Sequence, residues 1–241
     1  MTNYIQKETI IRLLKDVKQI IKCPLTDNDI YYVHDDADMM KGYAMIVGQQ
    51  GTPYFGGYYF FELNYPVDYP HSPPKVIYWT NGDNIRFNPN LYKCGKVCVS
   101  LLNTWRGDQW TSCQTISTVL LTLCTLLCKD PLLNEPGITS GHKDFKNYTE
   151  VIEYSNIHIA VCNIVSKKTG YYVGFFDLFY PIIKQTFIKN YDALLDFTTA
   201  KCNGEYKAPK RITTDLYNMG VVVNYPTLLN NLTNCKINID K

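Results

Sequence analysis

Residues 88–98 read NPNLYKCGKVC, and the interpretation of the whole chain depends on this stretch. It lies within an irregular segment, Asn81 to Ser112, that is dense in Asn, Gly and Pro. A loop of this length in a compact domain is usually functional or disordered. Phe87, Trp105 and Trp110 are large rings of the kind that is normally buried, so we expect an ordered, functional loop.

The residues before this loop predict one helix followed by an antiparallel meander. Apolar residues recur at helical spacing from Ile10 to Ile21, with basic residues between them, and Pro24 ends the pattern. Four short runs rich in aromatic and β-branched residues follow, separated by Asp-rich or Gly/Pro-rich turns. These predicted strands are Ile30–His34, Tyr43–Val47, Tyr58–Leu63 and Val76–Trp79.

The residues after the loop predict helices, so the fold class is α+β. A buried central helix is expected over Ile116–Leu127, because its apolar residues cover more than one face. Further helices are expected from about Asp144 to Ser166 and from Phe175 to Phe197, where Pro181 starts or kinks the second one. The tail from Lys201 is polar except for an apolar cluster at Leu228, Leu229 and Leu232.

Composition excludes several classes of function. A formal net charge of +2 is too small to indicate nucleic-acid binding. We expect no membrane contact, since the chain has no apolar stretch long enough to span a bilayer and no signal-peptide core at its start.

Nine cysteines without a secretion signal indicate reduced thiols. We therefore expect the protein in the cytoplasm, with the nucleus as a further possible location. If the source is a virus, we expect it in the cytoplasm of the host cell.

The cysteine spacing does not favour a metal site. Cys94 and Cys98 are four residues apart, as are Cys124 and Cys128, whereas structural zinc sites more often use a two-residue gap. We expect no bound metal. Read in isolation, Cys98 is either a packed thiol or a nucleophile.

The order of signals around Cys98 resembles the ubiquitin-conjugating (UBC) fold over about residues 7–165. The matching pieces after the first helix are Gly56–Phe60, Tyr69-Pro70, Pro73–Val76, Asn88–Asn90, Gly95–Cys98, Trp110 and Thr115–Ser117. Within this family the chain is most similar to the Z-type branch, through Cys98–Trp105, Asn134–Gly137, Lys146–Tyr148 and Ile159–Cys162. The resemblance implies a UBC core over residues 1–167 and a helical C-terminal extension over residues 168–241. It fades beyond about residue 200.

The resemblance also implies an activity. Cys98 would accept ubiquitin, or a ubiquitin-like modifier, as a thioester from an activating enzyme, and a substrate lysine would then take it, usually with a ligase. ATP is used by the activating enzyme, so no cofactor is expected in this chain. Asn90 matches a family asparagine that either donates to the oxyanion or pins the loop. Asp130 matches an acidic residue that orients the incoming lysine, with a turn or capping aspartate as the alternative.

Some positions bear on partner binding. The family docks its activating enzyme on the basic face of the first helix, here Lys7, Arg12 and Lys15, although the same residues also suit a solvated surface. His71 and Ser112 occupy the two loops where the family meets its ligases, and they depart from the common pattern. Asn88 stands where most members have histidine, so we expect different packing of the loop.

Two rival functions remain open at this point. A papain-like hydrolase would use Cys98 with His142 or His158 as its base. A ubiquitin-binding variant of the same fold would lack the cysteine, which is present here. Two smaller hypotheses also stand: Lys93 and Lys96 favour the Cys98 thiolate through their charge, and a disulfide between Cys94 and Cys98 switches the enzyme off.

Overall fold

The structure of the chain is a computed structural model that describes residues 5–239. Residues 1–4 and 240–241 lie outside this description. The first residues of the predicted UBC core, the last residues of the predicted extension, and part of the start that is judged to lack a signal-peptide core fall there. Within the described part, no helix combines the length and the apolar character that crossing a bilayer requires.

The first helix forms where the apolar spacing predicts it. Helix α1 spans Lys7–Lys22, and Cys23 closes it by donating its backbone N–H to the Gln19 carbonyl. Its buried residues form a narrow stripe that includes Leu13, Val17 and Ile20. Leu14 and Ile21 belong to the predicted apolar set but are exposed, since only one strip of the helix faces the core.

The predicted four-stranded antiparallel meander is confirmed. Its strands pair in the order β1-β2-β3-β4. They are β1 (Ile30–His34), β2 (Lys41–Val47), β3 (Tyr58–Asn64) and β4 (Lys75–Tyr78). Met45 pairs with Phe60, and Phe61 pairs with Tyr78, so β2 and β3 form the centre of the sheet.

Both faces of the sheet are covered at β3, where side chains alternate between the faces. On one face, Phe60 stacks on Phe176 with the ring centroids 3.6 Å apart. On the other face, Tyr59 packs edge-on against Phe87 at 5.8 Å. Consecutive apolar residues are therefore all buried in this strand, instead of every second one.

The later helices also follow the predicted order. Helix α2 spans Ile116–Leu126, and helix α3 spans Phe145–Ser155 before it widens into a π-helical segment, Asn156–Asn163. Asn156 is buried there, where it accepts a 2.6 Å hydrogen bond from the Tyr59 hydroxyl and donates to the Phe55 carbonyl. Gly57 is required beside it, because a Cβ at that position would lie 1.9 Å from Asn156 Oδ1.

The C-terminal extension is helical, as predicted, but it also contains a β-hairpin. A 3₁₀ segment, Gly174–Phe179, leads into helix α4 (Tyr180–Asn203), and Pro181 lies in the first turn of α4. Strands β5 (Lys210–Thr214) and β6 (Met219–Val223) follow, and then helix α5 (Tyr225–Ile239). The hairpin was not predicted because only one face of it is buried, so β5 shows a mostly polar sequence. Leu228 and Leu232 of the predicted apolar cluster are buried in α5.

Candidate active site

The residues around Cys98 form a compact loop in which Asn90 lies opposite the cysteine. The Cys98 backbone N–H donates to the Asn90 carbonyl (2.9 Å), and closer to the tip the Tyr92 N–H donates to the Lys96 carbonyl (2.9 Å). Gly95 makes the turn at the tip with a φ of +87°. An L side chain rarely adopts this conformation, so glycine is needed for the reversal.

Cys98 lies at the bottom of a narrow cleft. Its residue exposure is 4%, and its thiol donates a 2.9 Å hydrogen bond to the backbone carbonyl of Thr104. The cleft has a volume of about 40 Å³. It is lined by Pro89, Asn90, Tyr92, Cys98, Trp105, Asn134, Glu135 and Pro136. The sulfur is therefore nearly buried among these residues.

Asn90 combines a structural bond with unused hydrogen-bonding capacity. Its Nδ2 donates a 2.7 Å hydrogen bond to the Cys98 carbonyl. A carboxamide carries two N–H groups, and no residue within 5–239 accepts the second one. Its Oδ1 is buried without a partner, which is uncommon for a polar atom.

Asn88 ties this loop to the rest of the core. It is fully buried, and its Nδ2 donates to the Leu126 carbonyl at the end of α2 (2.7 Å) and to the Tyr54 hydroxyl (3.2 Å). Its Oδ1 accepts the backbone N–H of Asn90 at 2.9 Å. One amide therefore fixes the residue that faces Cys98.

The acidic residue in the cleft is Glu135, which the sequence analysis did not select. Asp130 lines a different cavity of about 440 Å³, together with Glu153 of α3 and Phe197 of α4. The structure therefore does not bring Asp130 into the Cys98 cleft, and its role stays a prediction. The signal for Glu135 lies in the Asn134–Gly137 stretch, which is one of the marks of resemblance to the Z-type branch.

Trp105 and the two loop lysines, Lys93 and Lys96, are not in the surroundings that we expected from the sequence. Trp105 was expected to be buried, but it is 47% exposed because it forms part of the cleft's rim. Lys93 donates to Asn84 Oδ1 (2.8 Å) and to the Tyr217 carbonyl (3.0 Å), and Lys96 lies 5.6 Å from the Tyr92 ring. Neither ammonium group lines the cleft, so their influence on the thiolate stays a hypothesis.

The predicted partner-binding residues lie on neighbouring elements. Lys7 and Lys15 are exposed on α1, and His71 is exposed in its loop. Arg12 is engaged within the protein, since it pairs with the buried Asp16 at 2.9 Å and donates to the Ser112 carbonyl at 2.5 Å. The structure thus joins the helix face that carries Arg12 to the loop that carries Ser112.

Trp110 links this region to the loop that carries His71, because its Nε1 donates to the Pro70 carbonyl at 2.7 Å. The Tyr69–Pro70 peptide bond is cis. All three predicted docking regions are therefore connected through hydrogen bonds.

The side chains that would support a hydrolase are elsewhere. His142 accepts the backbone N–H of Asp144, and His158 lies 3.6 Å from the Asp83 carboxylate; neither belongs to the cleft lining. Cys94 is exposed and, like Cys98, carries a free thiol. Among residues 5–239, no three His, Cys, Asp or Glu side chains are grouped so that they could hold a metal ion.

Comparison with known proteins adds a family to this geometry. The family model described as "Ubiquitin-conjugating enzyme" matches residues 12–158. The protein named "Ubiquitin-conjugating enzyme E2 Z" of Danio rerio is 38% identical over 189 residues, which cover 77% of this chain and 56% of that protein. Its Homo sapiens counterpart is 41% identical over 164 residues, covering 67% and 46%. "Probable ubiquitin-conjugating enzyme E2 25" of Arabidopsis thaliana is 48% identical over 118 residues, covering 44% and 19%. The chain spans about half the length of the two proteins named E2 Z.

Proposed function

The chain belongs to the ubiquitin-conjugating enzyme family, on its Z-type branch, and we propose that it carries ubiquitin or a ubiquitin-like modifier as a thioester on Cys98. The observation that carries this proposal is the position of the Cys98 thiol at the bottom of a cleft that also holds Asn90 and Glu135. A thiolate is a strong nucleophile even when only a small fraction is ionised, so no adjacent histidine is required.

The shape of the cleft supports a modifier that ends in glycine. The cleft encloses only about 40 Å³ above a nearly buried thiol, which favours a residue with little side-chain bulk next to the reacting carbonyl. Glycine has no Cβ, so a glycyl tail can bring its carbonyl close to a nearly buried sulfur.

The proposed reaction has two acyl transfers. In the first, the Cys98 thiolate bonds to the carbonyl carbon of the modifier, and the sulfur of the activating enzyme leaves. In the second, a lysine nitrogen bonds to that carbon, and the Cys98 sulfur leaves as a thiolate. Each step places negative charge on the carbonyl oxygen, and the second Asn90 N–H is available to stabilise it.

Partners follow from this proposal. The activating enzyme would bind the exposed basic residues of α1, Lys7 and Lys15, and a ligase and a protein substrate would take part in the second step. ATP would be consumed by the activating enzyme. We also propose a reducing compartment, the cytoplasm, because the reaction requires a free thiol at position 98.

A charging assay tests the proposal. The protein is incubated with ATP, a modifier and an activating enzyme, and the adduct is separated with and without a reducing thiol. We expect a thiol-sensitive adduct on the wild-type protein, none on Cys98→Ala, and a thiol-resistant oxyester on Cys98→Ser. Cys94→Ser is the matched control and should charge normally, since Cys94 lies outside the cleft.

Two outcomes would contradict the proposal. Normal charging of Cys98→Ala would place the nucleophile elsewhere. A wild-type protein that stays unloaded with a panel of activating enzymes and modifiers would remove the carrier function itself.

A further inference from the structure

The turn of the C-terminal hairpin packs against the candidate active site. This turn, residues 215–218, connects β5 to β6. On one side, the Leu216 N–H donates to the Asp144 carboxylate at 2.8 Å, and Asp215 pairs with Lys143. On the other side, Asn84 Nδ2 donates to the Asn218 carbonyl at 3.3 Å. The turn is therefore anchored both to the start of α3 and to the segment that leads into the Cys98 loop.

Tyr217 is held at the centre of this turn in an unusual backbone conformation. Its φ is +63°, a left-handed value that is uncommon for residues other than glycine. Its carbonyl accepts a hydrogen bond from Lys93 Nζ (3.0 Å), and its ring lies 5.0 Å from the Arg86 guanidinium and 6.0 Å from the Tyr148 ring. These contacts fix both the backbone and the ring.

The Tyr217 hydroxyl reaches into the wall of the Cys98 cleft. It donates a hydrogen bond to Glu135 Oε2, with an O–O distance of 2.5 Å. Burial raises the pKa of Tyr217, and the hydrogen bond to Glu135 raises it further, so the hydroxyl stays protonated and acts as the donor. Glu135 is the one acidic side chain among the described residues that line the cleft.

Arg86 connects the same tyrosine to the other side of the cleft. Its guanidinium lies 3.4 Å from the Tyr92 ring, and it donates to the carbonyls of Asn88 (3.1 Å) and Pro89 (2.6 Å). These carbonyls directly precede Asn90. The hairpin therefore contacts the Glu135 carboxylate directly and is connected through Arg86 to the segment that carries Asn90.

We propose that Tyr217 is a positioning residue for the transfer of the modifier to lysine: its hydroxyl holds the Glu135 carboxylate beside Cys98, where that carboxylate receives the incoming amine. This inference rests on the proposed function. The lysine nitrogen bonds to the thioester carbonyl carbon, the C–S bond breaks, and Cys98 leaves as a thiolate. The ammonium nitrogen loses two protons in this step, one before the C–N bond forms and one after it, and each passes to Glu135 and then to solvent.

The physical reason is the placement of charge. A lysine arrives as a hydrated ammonium ion, and a fixed carboxylate in a cleft with little water attracts it and accepts its proton. An unrestrained glutamate side chain would have to lose its rotamer freedom at that moment. The hydrogen bond from Tyr217 fixes the carboxylate before the amine arrives.

The test separates amine positioning from a general structural role. The full-length protein is charged with modifier, the activating enzyme is quenched, and discharge is followed in a single turnover onto free lysine and onto hydroxylamine. Hydroxylamine is largely uncharged at neutral pH, so it needs little help in shedding a proton. The variants are Tyr217→Phe, Glu135→Gln and the double variant. Tyr206→Phe is the matched control, since Tyr206 donates a similar hydrogen bond (2.6 Å) to Glu150 away from the cleft.

We expect every variant to form the thioester, and we expect discharge onto lysine, measured per charged molecule, to be slower by about tenfold or more in Tyr217→Phe and Glu135→Gln, as expected for a lost hydrogen bond to a charged group. Discharge onto hydroxylamine should change little. The double variant should be no slower than Glu135→Gln, because the tyrosine acts through that carboxylate.

Several results would overturn the inference. Discharge of Tyr217→Phe onto lysine at the wild-type rate would do so, and so would equal losses with both nucleophiles, or a variant that does not fold, since each makes the hydroxyl a structural group. An uncharged wild-type protein would instead contradict the proposed function.

Discussion

The side-chain amide of Asn90 donates a 2.7 Å hydrogen bond to the carbonyl of Cys98, so this residue fixes the loop that carries the proposed nucleophile. The sequence had left two roles open for Asn90, loop support and oxyanion stabilisation. One N–H serves the first role, and the other is available for the second. The geometry is therefore compatible with both roles at once.

Replacing Asn90 with alanine should affect both roles. We expect the transfer rate to fall by about 100-fold or more, as for the loss of one oxyanion donor. The free energy of unfolding should fall by about 1 kcal/mol. Single-turnover discharge and urea unfolding measure the two effects. Asn147→Ala is a suitable control, since Asn147 makes a similar bond (3.0 Å) to the Thr213 carbonyl in the hairpin. Transfer at the wild-type rate by Asn90→Ala would exclude the oxyanion role.

Asn88→Ala should destabilise the protein more than Asn90→Ala. The substitution leaves the Asn90 N–H without its partner and the Leu126 carbonyl with only the longer bond from Asn134 Nδ2 (3.3 Å), at a cost of about 2 kcal/mol. Urea unfolding followed by tryptophan fluorescence measures this loss. An unchanged midpoint would mean that water or a local shift replaces both bonds.

The strands and the first helix could be predicted because each follows a strong local pattern. The apolar spacing from Ile10 to Ile21 and the aromatic runs of β1–β4 indicate their own secondary structure, and the observed bounds differ by few residues. The hairpin β5–β6 could not be predicted in this way. Its strands are short, and their stability comes from packing against α3, which a local pattern does not contain.

The order of the motifs predicts Cys98 as the nucleophile, and this role stays a prediction, but the motifs do not predict the acidic residue that shares its cleft. The resemblance assigns the lysine-orienting role to Asp130, and the local sequence pattern does not distinguish this residue from the nearby Glu135. The choice depends on how the 3₁₀ turn Pro131–Asn134 directs the chain. In the structure this turn brings Glu135, not Asp130, to the Cys98 cleft.

A comparison of two substitutions decides between these carboxylates. We expect Asp130→Asn to discharge its modifier onto lysine within about twofold of the wild-type rate, because its side chain lines another cavity. Glu135→Gln should be the slower variant. If Asp130→Asn slows discharge and Glu135→Gln does not, the assignment from sequence is correct, and the loop rearranges when the protein is charged.

The basic face of α1 should divide into structural and docking residues. Arg12→Ala leaves the buried Asp16 carboxylate without its guanidinium partner, so we expect the free energy of unfolding to fall by about 3 kcal/mol. Lys15→Ala should leave stability unchanged and raise the concentration of activating enzyme needed for half-maximal charging. Unfolding curves and charging rates at two salt concentrations test this. Equal charging by Lys15→Ala and the wild type would argue against docking at this position.

Stability should decrease as the pH falls through about 6.5, in part because of His158. Burial lowers the pKa of His158, the nearby Lys168 also lowers it, and Asp83 partly opposes these effects. The unfolded chain therefore binds a proton at a pH where the folded protein does not, which favours unfolding in acid. Thermal unfolding at about pH 7.5 and about pH 5.5 should show a smaller loss for His158→Gln than for the wild type. His71→Gln, at an exposed histidine, should behave like the wild type.

The stack of Phe60 on Phe176 affects whether the sheet can bind other proteins through this face. A sheet with one exposed face can bind other proteins through that face, and it tolerates many substitutions there. Here the side of β3 that carries Phe60 is occupied by the chain's own later residues, and the Tyr58 hydroxyl donates to the Ile183 carbonyl in α4 at 3.0 Å. A protein that approached this face of the sheet would contact α4 and not the strands. Substitutions at Tyr58 or Phe60 should accordingly behave as interior changes, even though an isolated meander would leave them at its outer surface.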